Sequence, residues 1–255
     1  MNKVIIWDLP IRLFHWSFAG SLSAALAIGF LVDDDNPLFQ LHAIFGLMAA
    51  FTLVVRLLLG LFGSRHNRFT ALPLRPAEIA GHFGGVLTGK ARRYLGHNPG
   101  GAVAALLMYI VVPLLLATGL GAGGETGEEL HEGLAVTLLV LIGIHLAGII
   151  WHSLRHREAV ALSMLTGRKE GPESEGLSSA RPLWALAILA AGAAWIGALF
   201  TSHDSTAGTV KLPLLGTVIQ VGENEAGESD EAKKNETGSH AKSAKKHHAG
   251  ETDDD

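Results

Sequence analysis

The stretch Leu130–His145, LHEGLAVTLLVLIGIH, decides the architecture. It carries one carboxylate, Glu132, and two histidines, His131 and His145, fourteen residues apart on an otherwise apolar run. An α-helix turns about 100° and rises about 1.5 Å per residue, so fourteen residues return to nearly the same face roughly 21 Å further along the axis. In a hydrocarbon core about 30 Å thick, that sets two imidazoles one above the other at two depths. Ionisable side chains inside a span are costly and face the bundle interior with a function.

The rest of the chain suits a membrane. Of its 255 residues 48% are hydrophobic and only 17% charged, a balance that excludes an ordinary soluble domain or a nucleic-acid binder. Five stretches reach the length of about 20 residues that a spanning helix needs. They lie near Leu13–Val32, Leu41–Phe62, Ala102–Leu120, Leu134–Leu154 and Pro182–Phe200. The first is too long for the apolar part of a secretory leader and a second span follows closely, so it reads as a retained helix; Ala25-Leu26-Ala27 is the one cleavage-like triplet. Cysteine is absent, which excludes disulfides, iron–sulfur ligation and covalent haem attachment through C-x-x-C-H.

Lysine and arginine set the orientation. Arg65, Arg68, Arg75, Lys90, Arg92 and Arg93 lie between spans two and three, and Arg155, Arg157, Arg168, Lys169 and Arg181 follow span four. The loops Asp33-Asp34-Asp35 and Glu125, Glu128, Glu129 carry neither. The expected topology puts the N-terminus and the basic loops in the cytoplasm, with the acidic loops and the C-terminus outside, in the periplasm.

Two further histidines complete the pattern. His15 lies just inside the cytoplasmic start of span one and His42 at the outer start of span two. By depth, His15 pairs with His145 near the cytoplasmic face and His42 with His131 near the outer face. Four imidazoles in two layers are what two non-covalent b-type haems require. His152, two turns beyond His145, competes with it for the same layer, while His66, His82, His97 and His156 fall in basic loops and read as solvated or bound to carbonyls. Arg56 shares the face of His42 fourteen positions on; it reads either as the partner of a haem propionate, which a guanidinium binds bidentately, or as an arginine that snorkels to the interface. Arg12, one turn before His15, is a second candidate for the propionate. Trp7, Trp16 and Trp151 read as an aromatic belt.

WDLPIRLFHW at Trp7–Trp16, the histidine opening span two, RRYLGHNPGGA before span three, LHEGLA and IHLAGIIWHSLRHRE in span four, and MLTGRK after it together resemble the prokaryotic cytochrome b561 family, closest to the b-type cytochrome subunits of nickel–iron hydrogenases. The likeness covers roughly residues 4 to 170. It implies a four-helix bundle with haem b held between spans one, two and four, and electron transfer between a donor and the membrane quinone pool. It implies His15, His42, His131 and His145 as axial ligands, with one haem rather than two in some members. The implied partners are lipid, quinone and a periplasmic redox protein: a c-type cytochrome or a hydrogenase-like iron–sulfur subunit. Such a chain is an electron-transfer subunit rather than a complete enzyme. Two rivals use the same histidines: a stand-alone quinone reductase fed by a small molecule such as superoxide, and a non-redox anchor or metal transporter.

The expected fold is an all-α membrane protein in three parts. Residues 1–170 form the four-helix haem-binding transmembrane domain, and residues 171–200 a linker and fifth transmembrane helix. Residues 201–255, acidic and without aromatics, are expected to be a disordered periplasmic tail, for want of apolar surface to bury. Its run Leu212–Val221 is the one candidate for a short strand or docking element, and His240, His247 and His248 read as solvated.

Overall fold

The computed structural model describes residues 2–222. In chain order these form β1 (Asn2–Ile5), α1 (Leu9–Leu31), α2 (Gln40–Phe62), α3 (Pro76–Leu87), α4 (Pro99–Gly119), α5 (Gly124–His156), α6 (Val160–Thr166), β2 (Arg168–Gly171), α7 (Pro182–Ser202), β3 (Thr209–Lys211) and β4 (Val218–Gln220). Helices α1, α2, α4, α5 and α7 are long and apolar enough to cross a membrane.

Local chemistry explains where the spans begin. The buried Asp8 caps α1, accepting from the Ile11 N–H at 3.2 Å, and Pro10 sits in the first turn, where a missing N–H does no harm. Asn98 does the same for α4, accepting from Gly101 at 2.7 Å with Pro99 behind it. Helix α5 starts after Gly123, whose φ of 98° favours glycine. It runs for 33 residues, so it takes in the acidic loop that had been expected to lie outside span four.

The spans pack as two close pairs, α1 on α2 and α4 on α5, joined chiefly where α2 meets α4. Neither α1 nor α2 approaches the backbone of α5 closely. A cluster including Ile11, Phe14, Phe18, Leu53, Met108, Val112 and Leu138 fills the interior between the pairs. Helix α7 lies outside, against α1 and α2.

One end of the bundle carries the basic loops and is closed by β1 pairing antiparallel with β2, Val4 opposite Lys169. Gly167 turns the chain into β2 at φ 77°, and a Cβ there would lie 2.6 Å from the Trp7 carbonyl. The buried Lys169 reaches Glu158 at 3.7 Å and donates to the Tyr94 carbonyl, while Arg93 grips Glu158 through Nε and Nη2 at 3.1 and 3.2 Å. Burial opposes ionisation of Glu158, but Arg93 and Lys169 prevail and hold its carboxyl below the usual range.

The other, acidic end departs from expectation. The tail expected to be disordered from Thr201 folds back at once: β3 and β4 form an antiparallel hairpin, Val210 opposite Ile219. Val210, Val221 and Leu199 bury themselves against Ile44 and Leu47 of α2. His203 and Gln40 share a 2.6 Å hydrogen bond, and the Gln40 amide donates to the Ser205 carbonyl. The apolar run Leu212–Val221 supplies the surface that the surrounding polar composition concealed. Residues 223–255, with His240, His247 and His248, lie outside the described residues. Helix α3, in the basic loop, was not expected either, because three glycines in PAEIAGHFGGVL blur its periodicity.

Candidate functional site

The structure brings His42 and His131 together and places His15 and His145 in one region of the bundle. His42, in the first turn of α2, faces His131 in α5, ring centroids 5.9 Å apart and planes at 64°. His15 of α1 and His145 of α5 lie within electrostatic range of each other, toward the basic end. All four are half-buried, whereas their neighbours on α5, Glu132, Ile144 and Leu146, are exposed. His152 lies elsewhere: it is buried, its ring 4.4 Å from that of His156 and its Nε2 4.0 Å from Glu158.

The hydrogen bonds of the acidic-end pair define its chemistry. Nδ1 of His42 lies 2.8 Å from the Ala25 carbonyl, which can only accept. The proton therefore resides on Nδ1, and Nε2 keeps its lone pair. Thr118 lies 3.0 Å from Nδ1 of His131, and its hydroxyl already donates to the Leu114 carbonyl, so it accepts from His131. Both rings are thus held by Nδ1 with Nε2 available, the arrangement in which a neighbouring acceptor orients a metal-ligating imidazole.

Each ring also rests on a glycine of the adjoining helix. A Cβ on Gly29 of α1 would lie 2.9 Å from His42 Nδ1, and one on Gly119 of α4 would lie 3.0 Å from His131 Cε1.

A haem iron fits this donor set. Two imidazoles sharing one metal, at nitrogen–metal bonds of about 2 Å, have ring centres about 6 Å apart, which is the separation observed here. Among the described residues no group of three or more histidines or carboxylates could hold a bare ion, so two imidazoles suit a metal that brings further donors of its own. Toward the basic end, His15 Nδ1 is buried without a hydrogen-bond partner.

Arg56 does not snorkel. It is 1% exposed, donating from Nε to the Tyr109 hydroxyl at 3.1 Å and from Nη1 to the Asn67 carbonyl at 3.0 Å, with its guanidinium 4.8 Å from the Phe69 ring. Among the described residues it forms no ion pair. Asn67 in turn donates to Asp8 at 2.8 Å, so the α1 cap and the buried guanidinium belong to one network. Arg12 is placed differently: its Nε donates to the Met164 carbonyl, bracing α6 with help from the Trp16 indole. Trp16 and Trp151 are exposed as a belt requires, whereas Trp7 is buried and donates to Ser163.

His97, which reads from the sequence as a solvated or carbonyl-bound loop histidine, instead turns into the interior. It meets Trp7 edge-on at 4.9 Å and lies within electrostatic range of Arg56, His145, Lys169 and His15. Burial, and then those neighbouring charges, push its imidazole down to about 3, so it is neutral at neutral pH. It sits in a loop, where no periodicity marks an inward side chain; the adjacent Asn98-Pro99 helix start was the only local signal.

No curated protein and no solved structure matches the chain. A family model described as prokaryotic cytochrome b561 matches residues 6–167, from the end of β1 through the turn that follows α6, leaving out α7 and the hairpin. With five apolar spans and histidines paired across the bundle, the chain belongs to the prokaryotic cytochrome b561 family, as a multi-pass membrane cytochrome of the b type that takes part in electron transfer.

Proposed function

We propose that the chain binds two haems b, one between His42 and His131 and one between His15 and His145, and passes electrons between a periplasmic redox partner and the membrane quinone pool. The observation that carries this reading is the acidic-end pair: two facing imidazoles, each tied through Nδ1 and each keeping Nε2 free. A bound haem iron supplies reversible one-electron chemistry. The protein would orient the imidazoles that hold it, keep water from the interior, and balance charge. Arg56 suits a propionate carboxylate near the His15–His145 layer, since a buried guanidinium without a counter-charge calls for one; the neutral His97 lies beside it. Arg12, whose Nε donates to the Met164 carbonyl, is the second candidate for that carboxylate. The lysines and arginines of the basic end favour a cytoplasmic placement, which turns the His42–His131 layer and the acidic loops toward the periplasm. A periplasmic c-type cytochrome or iron–sulfur subunit would deliver electrons there.

The test is spectroscopic. A pyridine haemochrome assay should return two haems per chain. His131→Ala and His145→Ala should each abolish a different one of two b-type centres in reduced-minus-oxidised spectra. Arg56→Gln should lower the midpoint potential of the centre lost in His145→Ala, because removing a positive charge favours the oxidised iron. Full haem retention by both histidine variants would overturn the proposal.

A further inference from the structure

The turn between β3 and β4, Leu212-Pro213-Leu214-Leu215-Gly216, turns apolar side chains outward. Leu214 is 100% exposed and Leu215 75%. Leu214 also holds a left-handed backbone at φ 69°, a conformation unfavourable for a leucine. Of the strands, Val210 is at 0% exposure and Leu212 and Ile219 pack on the cluster of Ile44, Leu47, Leu199 and Val221, while Val218, like the turn, is exposed.

The level of the turn points to its surroundings. Ile44 and Leu47 lie four and seven residues beyond Gln40, and Leu199 three before Ser202, so the hairpin contacts the spans about 5 to 10 Å below their ends. Ser202 donates to the Lys211 carbonyl at 3.0 Å, fixing the start of the turn beside the last turn of α7. The strands therefore run alongside the helix ends rather than standing above them. At this same end Phe200 of α7 and Leu114 and Leu120 of α4 are also exposed apolar side chains. A turn beside the end of a spanning helix stands at the level of the membrane interface, where interfacial elements lie, and a lysine at its edge can keep its charge among headgroups.

We propose that the turn 212–216 is a membrane-dipping element: Leu214 and Leu215 enter the acyl–headgroup boundary of the leaflet at the acidic end, while Lys211 stays at headgroup level. The family match ends at residue 167, so this anchor belongs to the part of the chain outside it. Its occupant is lipid, and it does not depend on how many haems are bound.

The absence of cysteine makes the test direct. Leu214→Cys and Leu215→Cys, each in the full chain, would be labelled with the environment-sensitive fluorophore NBD in phosphatidylcholine–phosphatidylglycerol vesicles. Thr206→Cys, at an exposed polar position of the same segment, is the aqueous control. The expected result is blue-shifted emission at 214 and 215, strong quenching by lipid carrying a shallow nitroxide, and quenching by iodide several-fold weaker than at 206. Iodide quenching equal to that at 206 would overturn the proposal. Shielding from both iodide and the lipid nitroxide would also overturn it, by showing protein on the tip, such as a second copy of the chain.

Discussion

The two glycines under the acidic-end histidines offer a sharp test at the scale of a residue. In a helix interior, glycine to alanine ordinarily adds about 1 kcal/mol of stability. At Gly29 and Gly119 the new methyl would press on the ring of His42 or His131. Gly29→Ala, inside α1, and Gly119→Ala, at the last residue of α4, should therefore perturb or lose only the haem centre that depends on His131, with helix content unchanged, as read by difference spectra and circular dichroism. A second prediction concerns His97. Its folded pKa lies far below the ordinary 6.5, so an unfolded chain binds a proton that the native ring refuses. The native state then loses stability as pH falls from about 6.5 toward 3. Glu158 acts in the same direction, but only below about 4.5. The slope of Tm between about pH 6.5 and 5 should flatten in His97→Gln, and an unchanged slope would remove His97 from this account. The shared face of His131 and His145 is readable in the sequence, because fourteen residues are nearly four whole helical turns, and so is the meeting of His131 with His42 at the outer starts of their spans. The tautomers are not, since Ala25 and Thr118 meet those rings only through tertiary contact.

At the scale of the element, the hairpin and α7 form a brace on the acidic end of α2. Deleting residues 203–255 would expose Ile44 and Leu47 and remove both partners of Gln40. The expected outcome is a lower Tm with both haem centres still present, because all four histidines precede residue 203; loss of the His131-dependent centre would instead make the brace part of the haem site. The five spans were legible because an apolar run of about 20 residues has few alternatives. The hairpin is legible only in part: Leu212–Val221 reads as a candidate strand or docking element, but the run is short and lies in a polar context that reads as a disordered tail. Helix α3 was hidden because its glycines weaken both propensity and pattern. The true start of α5 was misplaced because its first turns are acidic rather than apolar, although acidic side chains suit a helix N-terminus.

At the scale of the whole molecule, charge is sorted between the ends. Reconstituted in cells through its own insertion, a single cysteine in place of Glu128 should react with a membrane-impermeant thiol reagent added outside, and one in place of Arg75 should react only after the cells are opened. The reverse pattern would invert the topology and with it the side on which a donor docks. Both positions are exposed, so a failure to label reports sidedness rather than burial. This sorting was legible in the loops alone, whereas the closure of the basic end was not. That closure depends on a strand at the very start of the chain meeting one more than 160 residues later, a pairing with no local trace.

Helix α5 carries one histidine of each pair, and it is unbroken from Gly124 to His156. It therefore acts as a ruler. A thicker bilayer or a docking protein can tilt it, but cannot stretch the fourteen residues between its two marks. For centres seated at those marks, the length of the electron's jump is a constant of the polypeptide, and regulation must come through potentials or through access at the two faces.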